Sequence, residues 1–347
     1  MPNCPAPLDR LLAVLKTPAL AADLTQQIDL WSEIKRLAEI HRFSGWLAHA
    51  TGMWLPASER QWRDRVLMTH HRRHQQFSRQ LRILAEAFRA QGIPCIALKG
   101  PLFAERLHPV PFLKLSHDLD LLVPASDIPA ATRLVESLNF KMNPGYPWAL
   151  ERKYSHHLNF TGTGDVRTLE LHYSLKAGPH HLEGEEFVRR AVNWRAPDGR
   201  DYLILAPAVE VFYLIIHAAG HAFQRLRWLY DALIAAKALD ADRKARVRSL
   251  ALEMGLTGYF VAADMACREF FGEGLPLDLS GFGKPWLWSP LNTKHIRGMA
   301  QREDYGFGIR TLDVCRMSGS PVSAVRLCLQ SGSGKLPVWL YRLRNGG

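Results

Sequence analysis

The chain has 347 residues, 47% of them hydrophobic, with 44 lysines and arginines against 33 aspartates and glutamates, a formal charge of +11. That apolar fraction suffices for one large core or two modest ones and excludes a disordered chain. No uninterrupted apolar run of about 18 residues occurs, so no membrane span is expected. The basic excess allows an anionic partner (nucleotide phosphates, RNA or an acidic surface) without selecting among them.

Five cysteines, Cys4, Cys95, Cys267, Cys315 and Cys328, are odd in number, widely spaced and free of any CxxC. Neither a disulfide framework nor a zinc knuckle is indicated, and a reducing cytoplasm is the expected compartment. The N-terminal stretch holds early acids and prolines and lacks the basic start and apolar run of a secretory signal.

In chain order, residues 1–92 read as a helical segment. "DLWSEIKRLAEIHRFSGWLAHATGMW" sets Leu30, Ile34, Leu37, Ala38 and His41 at helical spacing. After Pro56 a long helix is expected, with Ser58 as N-cap and Gly92 as stop. The basic clusters "RQWRDR", "HHRRH" and "RKARVR" read as solvated helix faces. Residues 93–180 alternate strands and helices. "IPCIALKG" is a strand closed by glycine, and "PLFAERL" is a helix with Pro101 in its first turn. "DLDLLV" is the next strand and "ASDIPAATRLVESLNF" a helix. "YSHHLNF" and "RTLELHYSL" are two further strands around the turn "TGTGD". Residues 181–274 turn helical again, with one long apolar helix opening at Pro207. Residues 275–347 are rich in glycine, proline and serine and read as an irregular tail. The expected fold class is α+β: a small mixed sheet with helical segments on both sides of it in the chain.

"KLSHDLDLLVPASD" places Asp118 and Asp120 in an apolar segment. Buried carboxylates need a compensating charge. Side chains alternate along a strand, so both aspartates point to one side while Leu119 and Leu121 point to the other. Two such carboxylates suit a shared divalent cation, and magnesium favours oxygen ligands bridging to phosphates. Metal-assisted phosphoryl or nucleotidyl transfer needs a third carboxylate, and Glu170 in "TLELHYSL" is the candidate. Upstream, Lys99 and Gly100 end a strand at a helix start, where backbone amides and positive charge suit a phosphate.

The order strand, Lys-Gly, helix, then DxD on a strand, then a lone acid on a later strand, resembles the DNA polymerase β-like nucleotidyltransferase superfamily. More narrowly it is similar to a bacterial family of uncharacterised nucleotidyltransferases with an "LKG … DIDLLV … (D/E)LHW" pattern. The matching stretches are "ALKGPLFAERL", "KLSHDLDLLVPASD", "HHLNF", "LELHYSL" and "FYLIIHAAGHAFQRLRWLYDALI". The resemblance implies a nucleoside triphosphate site, with Asp118, Asp120 and Glu170 at metal-binding and catalytic positions and magnesium, or manganese, as cofactor. Asp118 and Asp120 would hold the metal on the triphosphate. Glu170 would complete a second metal site or act as base. Lys99 or Lys114 would neutralise the leaving pyrophosphate. Lys99 and Gly100 stand where the superfamily has Gly-Ser, so a hydroxyl is missing there and Pro101 removes an amide. Lys114 stands where arginine is usual, and His117 where a small residue is commoner.

His217 and His221 lie four apart on the expected helix, with Arg225 one turn later, as possible walls of an acceptor or phosphate pocket that Asp231 would orient. His172 shares the parity of Glu170, whereas His156 and His157 straddle a strand so that only one faces the site. "SGSGK", residues 331–335, lacks the P-loop spacing. The expected activity is transfer of a nucleoside monophosphate from an NTP, with ATP as first choice, to a hydroxyl-type acceptor on a small molecule or peptide. The rivals are a toxin-like or RNA-modifying transferase, for which the basic charge speaks, a nucleotide- or partner-binding module without turnover, and a kinase. RNA is the less favoured partner, and no membrane is expected.

Overall fold

The computed structural model describes residues 6–143, 155–177 and 180–283, with isolated positions from 286 to 317. The tail is therefore largely outside the described residues, "SGSGK" included.

Five helices precede the sheet: Pro7–Lys16, Ala21–Leu24, Ile28–Ile40, Ser44–Ala50 and Ala57–Ala90. Helix Ile28–Ile40 buries Trp31, Ile34 and Ala38, one stripe at steps of three and four. Helix Ala57–Ala90 begins after Pro56, so Ser58 lies inside its first turn and does not cap it. It ends as expected at Gly92, whose φ of 67° suits the left-handed position after a helix. Its inward residues are His70, Phe77, Leu81, Leu84 and Phe88, all in its second half or near its middle.

The sheet strands are β1 (Ile96–Ala97), β2 (Leu119–Leu122), β3 (Phe140–Met142), β4 (His157–Gly162), β5 (Thr168–His172), β8 (Val192–Arg195) and β9 (Asp201–Ile204). Between β5 and β8 in the chain come β6 (Ser174–Ala177) and β7 (His180–Glu183), which pair only with each other. The seven-stranded order is β3-β4-β5-β2-β1-β9-β8. β2 and β5 run parallel, as do β1 and β9, and the remaining neighbours run antiparallel. The fold is α+β with a mixed sheet. The sheet takes β8 and β9 from beyond the 93–180 span in which the alternation is legible. "RTLELHYSL" is not one strand: the N–H groups of both Tyr173 and Ser174 donate to the His156 carbonyl, at 3.1 and 3.4 Å, and the chain leaves the sheet there.

Strand alternation then sorts the side chains. Leu119, Leu121, Leu169 and Leu171 join one core with Phe77, Leu84 and Phe88 of the long helix. On the other side, Leu122 and Ile96 meet Val209 and Tyr213 of helix Pro207–Gly220. That helix is buried on nearly every face, because Val211, Phe212 and Ile215 pack into the large helical core. Each fully buried side chain of this kind contributes about 1.5–3 kcal/mol. The apolar stretch from Pro207 is two helices, Pro207–Gly220 and Leu226–Lys237, and not one. Ala222 and Phe223, at φ 50° and 54°, turn the chain between them. Helices Ala241–Glu253 and Thr257–Phe271 follow. Among the described residues, no helix is long and apolar enough to cross a membrane.

Candidate active site

The parallel register of β2 and β5 sets Asp120 beside Glu170. Asp118 lies in the bend just before β2, and all three carboxylates line one cleft together with Lys99, Gly100 and Lys114. The acids thus converge although 50 residues of chain separate Asp120 from Glu170.

Asp120 is 3% exposed. Lys99 Nζ lies 3.0 Å from its Oδ2 and His172 Nε2 lies 3.2 Å from its Oδ1. Burial opposes ionisation of Asp120, but Lys99 and then His172 hold its carboxyl well below the usual range. Burial likewise works against the charge on His172, which Asp120 and Glu170 restore, raising its pKa; Nε2 is 3.3 Å from Glu170. The charges that compensate Asp120 in the protein itself are therefore side chains, where the sequence suggests a metal ion. Asp118 differs. Burial, reinforced by the neighbouring Asp120, pushes its pKa up. No cation lies within 4.0 Å of it among the described residues, and Lys99 and Arg42 oppose the rise only from farther away, so a bound cation would favour its ionised form.

The turn before the helix Pro101–Leu107 depends on Gly100, at φ 84° and ψ −141°, a region essentially reserved to glycine. A Cβ there would stand 3.6 Å from Ser116 Oγ, which is buried and also lines the cleft. Ser116 thus places a hydroxyl beside the Lys-Gly turn, where the sequence lacks one. Lys114 Nζ faces Asp231 Oδ2 at 3.8 Å, and Asp231 also takes Arg227 Nε and His108 Nε2, each at 3.0 Å. Burial opposes the Asp231 charge, but Lys114 and Arg227 bring its pKa down to about 2. Burial lowers the pKa of Lys114 although Asp231 opposes this.

His217 and His221 line the same cleft, with ring centroids 4.7 Å apart. Trp228 packs against both, at 5.0 and 4.8 Å. Burial, then Lys99 and His221, holds His217 neutral. Arg225 does not continue their face. The helix has ended by then, and Arg225 sits at the N-cap of the next one, outside the cleft lining. Asp231 orients Arg227 and His108 in place of the two histidines. His172 stands beside Glu170 as its parity implies. His156 lies just ahead of β4, and both its ring and that of His157 approach His172, at 5.5 and 5.0 Å.

Arg227, Ser116 and Arg42 escape the sequence reading. Arg227 carries a weak signal, four residues before Asp231 on a helix. Arg42 carries none: it reaches the cleft from the N-terminal helices and lies 5.8 Å from the centroid of the Trp228 ring.

Asp120, Glu170 and His172 bring potential ligand atoms within 4.8 Å of one another, and a second such group is His156, His157 and His172. The carboxylate oxygens fit magnesium or manganese, with Asp118 adjacent and lacking a partner cation.

A family profile described as "Uncharacterised nucleotidyltransferase" matches residues 29–272. No curated protein gives a significant match. Distant similarity extends to solved structures of the antibiotic-resistance factor ANT(2'')-Ia. Its solution structure is 16% identical over 50% of this chain and 93% of that one, with a TM-score of 0.35. A crystal structure of ANT(2'')-Ia with adenylyl-2''-tobramycin is 14% identical over 50% of this chain and 96% of that one, also at 0.35. The profile spans well over half of the sequence, from the N-terminal helices through the carboxylate cleft to the last long helix, and the chain belongs to this nucleotidyltransferase family.

Proposed function

We propose that the protein transfers a nucleoside monophosphate from a magnesium-bound NTP, with ATP as donor, to a hydroxyl on a small molecule or peptide. The observation that carries this reading is the convergence of Asp118, Asp120 and Glu170 in one cleft, with Asp120 and Glu170 in direct register. Asp118, Asp120 and Glu170 would hold the metal, which when bound neutralises triphosphate charge and favours the acceptor oxygen as a nucleophile. The acceptor oxygen bonds to the α-phosphorus, the bond from that phosphorus to the bridging oxygen breaks, and pyrophosphate leaves. The acceptor proton passes to a carboxylate, and Glu170, the most exposed of the cleft pair it forms with Asp120, is the residue for that role. Lys99 and Lys114 place positive charge at the cleft for the leaving group. Gly100 gives the backbone close approach to phosphate.

A second reading draws on the Lys99–Asp120 contact. If Lys99 keeps Asp120 when nucleotide binds, the protein is a nucleotide-binding module without turnover. Calorimetry with each NTP and magnesium, on wild type and Asp118→Asn/Asp120→Asn, tests binding. Pyrophosphate release tests turnover. Magnesium-dependent ATP binding lost in the double variant is expected. Absence of NTP binding to folded protein overturns the transferase reading, and binding without pyrophosphate under every acceptor selects the module.

A further inference from the structure

The carboxylate cleft encloses about 150 Å³, below the ~300–1,000 Å³ of most small-molecule sites. It shares Arg42, Leu115 and His117 with a second cavity of about 420 Å³. One wall of that cavity is a single face of helix Ala57–Ala90: Trp62, Arg65, Val66 and Thr69 follow one another at helical spacing. Before His70 this half of the helix has no fully buried residue, and Trp62, edge-on to Trp31 at 6.1 Å, borders both the large helical core and the cavity. The "RQWRDR" cluster is thus not simply a solvated face, since it supplies Trp62 and Arg65 to a cavity wall.

The charge of the cavity is one-sided. Arg42 and Arg65 have no carboxylate within 4.0 Å among the described residues. Glu39 is the one acid in the lining, and its side chain is exposed. His70 adds no charge at neutral pH, because burial first, then nearby arginines, holds it at about 4.

Arg42 also occupies an unfavourable place in the backbone. It follows helix Ile28–Ile40 at φ 63°, and Phe43 N–H reaches back to the Ala38 carbonyl at 2.6 Å. This is a helix end that normally takes glycine. A non-glycine residue in that conformation costs about 1–2 kcal/mol. The sequence nevertheless sets a guanidinium there, at the junction of the two cavities, partly buried and with no carboxylate within 4.0 Å among the described residues, although Asp118 attracts it from farther away.

We propose that the second cavity is the acceptor site and that it selects a small hydroxylated molecule bearing a carboxylate or phosphate on a flat, apolar body, with Arg42 and Arg65 gripping the anion. This rests on the nucleotidyl-transfer reading for its chemistry. Trp62 and Val66 supply the apolar wall. The segment 115–117 leads from this cavity directly to Asp118, so an acceptor seated here borders the carboxylates. A polycationic acceptor meets two guanidiniums, neither with a carboxylate within 4.0 Å among the described residues, and one acid, Glu39, in the lining.

The test uses four probes that share a hydroxylated ring: 4-hydroxybenzoate, 4-hydroxyphenyl phosphate, neutral 4-hydroxybenzamide and cationic tyramine. Each is titrated calorimetrically into the full-length protein, with and without Mg-ATP. The anions should bind at least tenfold tighter than the amide, and tyramine should not bind. The carboxylate and phosphate arms show which oxyanion the site prefers. Arg65→Ala should weaken the anions at least fivefold while the Mg-ATP affinity stays that of wild type. Arg42→Gly should abolish anion preference while melting at or above the wild-type temperature, which a merely structural arginine would not do. Equal affinity for all four probes, preference for tyramine, or no binding of any of them overturns the proposal. Failure of Mg-ATP to bind while the charge order holds removes the donor reading alone.

Discussion

Replacing Lys99 by methionine removes the charge nearest Asp120 and keeps most of the side-chain volume. The two groups are 3.0 Å apart, with side-chain exposures of 16% and 2%. At that distance an effective dielectric of about 20 gives roughly 5 kcal/mol of attraction, part of which the burial of both groups offsets. Removing one partner of such a pair costs about 3–5 kcal/mol. His172 remains on Asp120, so the low end, about 3 kcal/mol, is expected. For a chain of this size that is roughly 4 °C in melting temperature. The loss should be conditional. On the proposed function, magnesium would compete with Lys99 for Asp120 in the wild type and would meet no such competitor in the variant. Ligand linkage contributes about 2.7 kcal/mol at a hundredfold excess over Kd. Thermal unfolding followed by circular dichroism, with and without millimolar magnesium, should therefore show a larger metal-induced shift in Lys99→Met than in wild type, and none in Asp118→Asn/Asp120→Asn. Equal metal shifts in wild type and variant, or a variant that melts with wild type in the absence of metal, would refute the reasoning.

Two further outcomes follow from the geometry. Gly100→Ala forces a Cβ into a glycine-only conformation at a cost of about 1–3 kcal/mol, without a steric clash, since the nearest neighbour would be 3.6 Å away; relief of that strain by rotating the turn should weaken Mg-ATP binding several-fold, and wild-type affinity in a correctly folded variant counts against the turn as a phosphate site. Burial first, then neighbouring arginines, depresses His41 and His70 from 6.5 to about 4, so the unfolded chain takes up protons that the fold refuses. Their contribution is intact above about pH 6.5 and is lost as pH falls toward 4, roughly 3 kcal/mol apiece at most; an urea midpoint that stays flat from pH 7 to 4 contradicts this.

How far the sequence reveals the site depends on the kind of signal each residue leaves. Asp118, Asp120 and Glu170 are legible because period-two alternation puts polar residues on one side of strands whose other side is leucine. Gly100 is legible because a glycine between a strand and a proline marks a turn. Arg225 misleads because "HAAGHAFQR" carries no proline and its glycine continues the helix to its last residue; the break comes from Ala222 and Phe223, neither of which announces a left-handed turn. β9 is invisible as a sheet member because its pairing with β1 is long-range, and β8 joins the sheet only through its local pairing with β9. Arg42 lies 76 residues before Asp118, and nothing local in "EIHRFSG" distinguishes a charge that will lie over Trp228 from one that will face water.

The positions where the local sequence contradicts the backbone are informative for that same reason. Four described residues other than glycine have positive φ: Arg42, Asn139, Ala222 and Phe223. Asn139 is a tolerated type in that conformation and ends the helix Ile128–Ser137 away from the carboxylates. The other three are poor choices for it, and each adjoins the cleft. Arg42 enters the cleft itself, whereas Ala222 and Phe223 end the helix that carries His217 and set the start of the helix that carries Arg227, Trp228 and Asp231. An unstrained continuation of the first helix would carry Trp228 past His217 and His221 along one axis; the turn instead packs its ring against both. Strain persists where surrounding packing over-determines it, and Ala222 and Phe223 are fully buried. Ala222→Gly should therefore raise the melting temperature by relieving backbone strain while leaving the His217–Trp228 contact, read from tryptophan fluorescence, in place. If that contact were lost on relief, the strain would be holding the wall together; if it survives, the helical core holds it and the strain is only the cost of the turn.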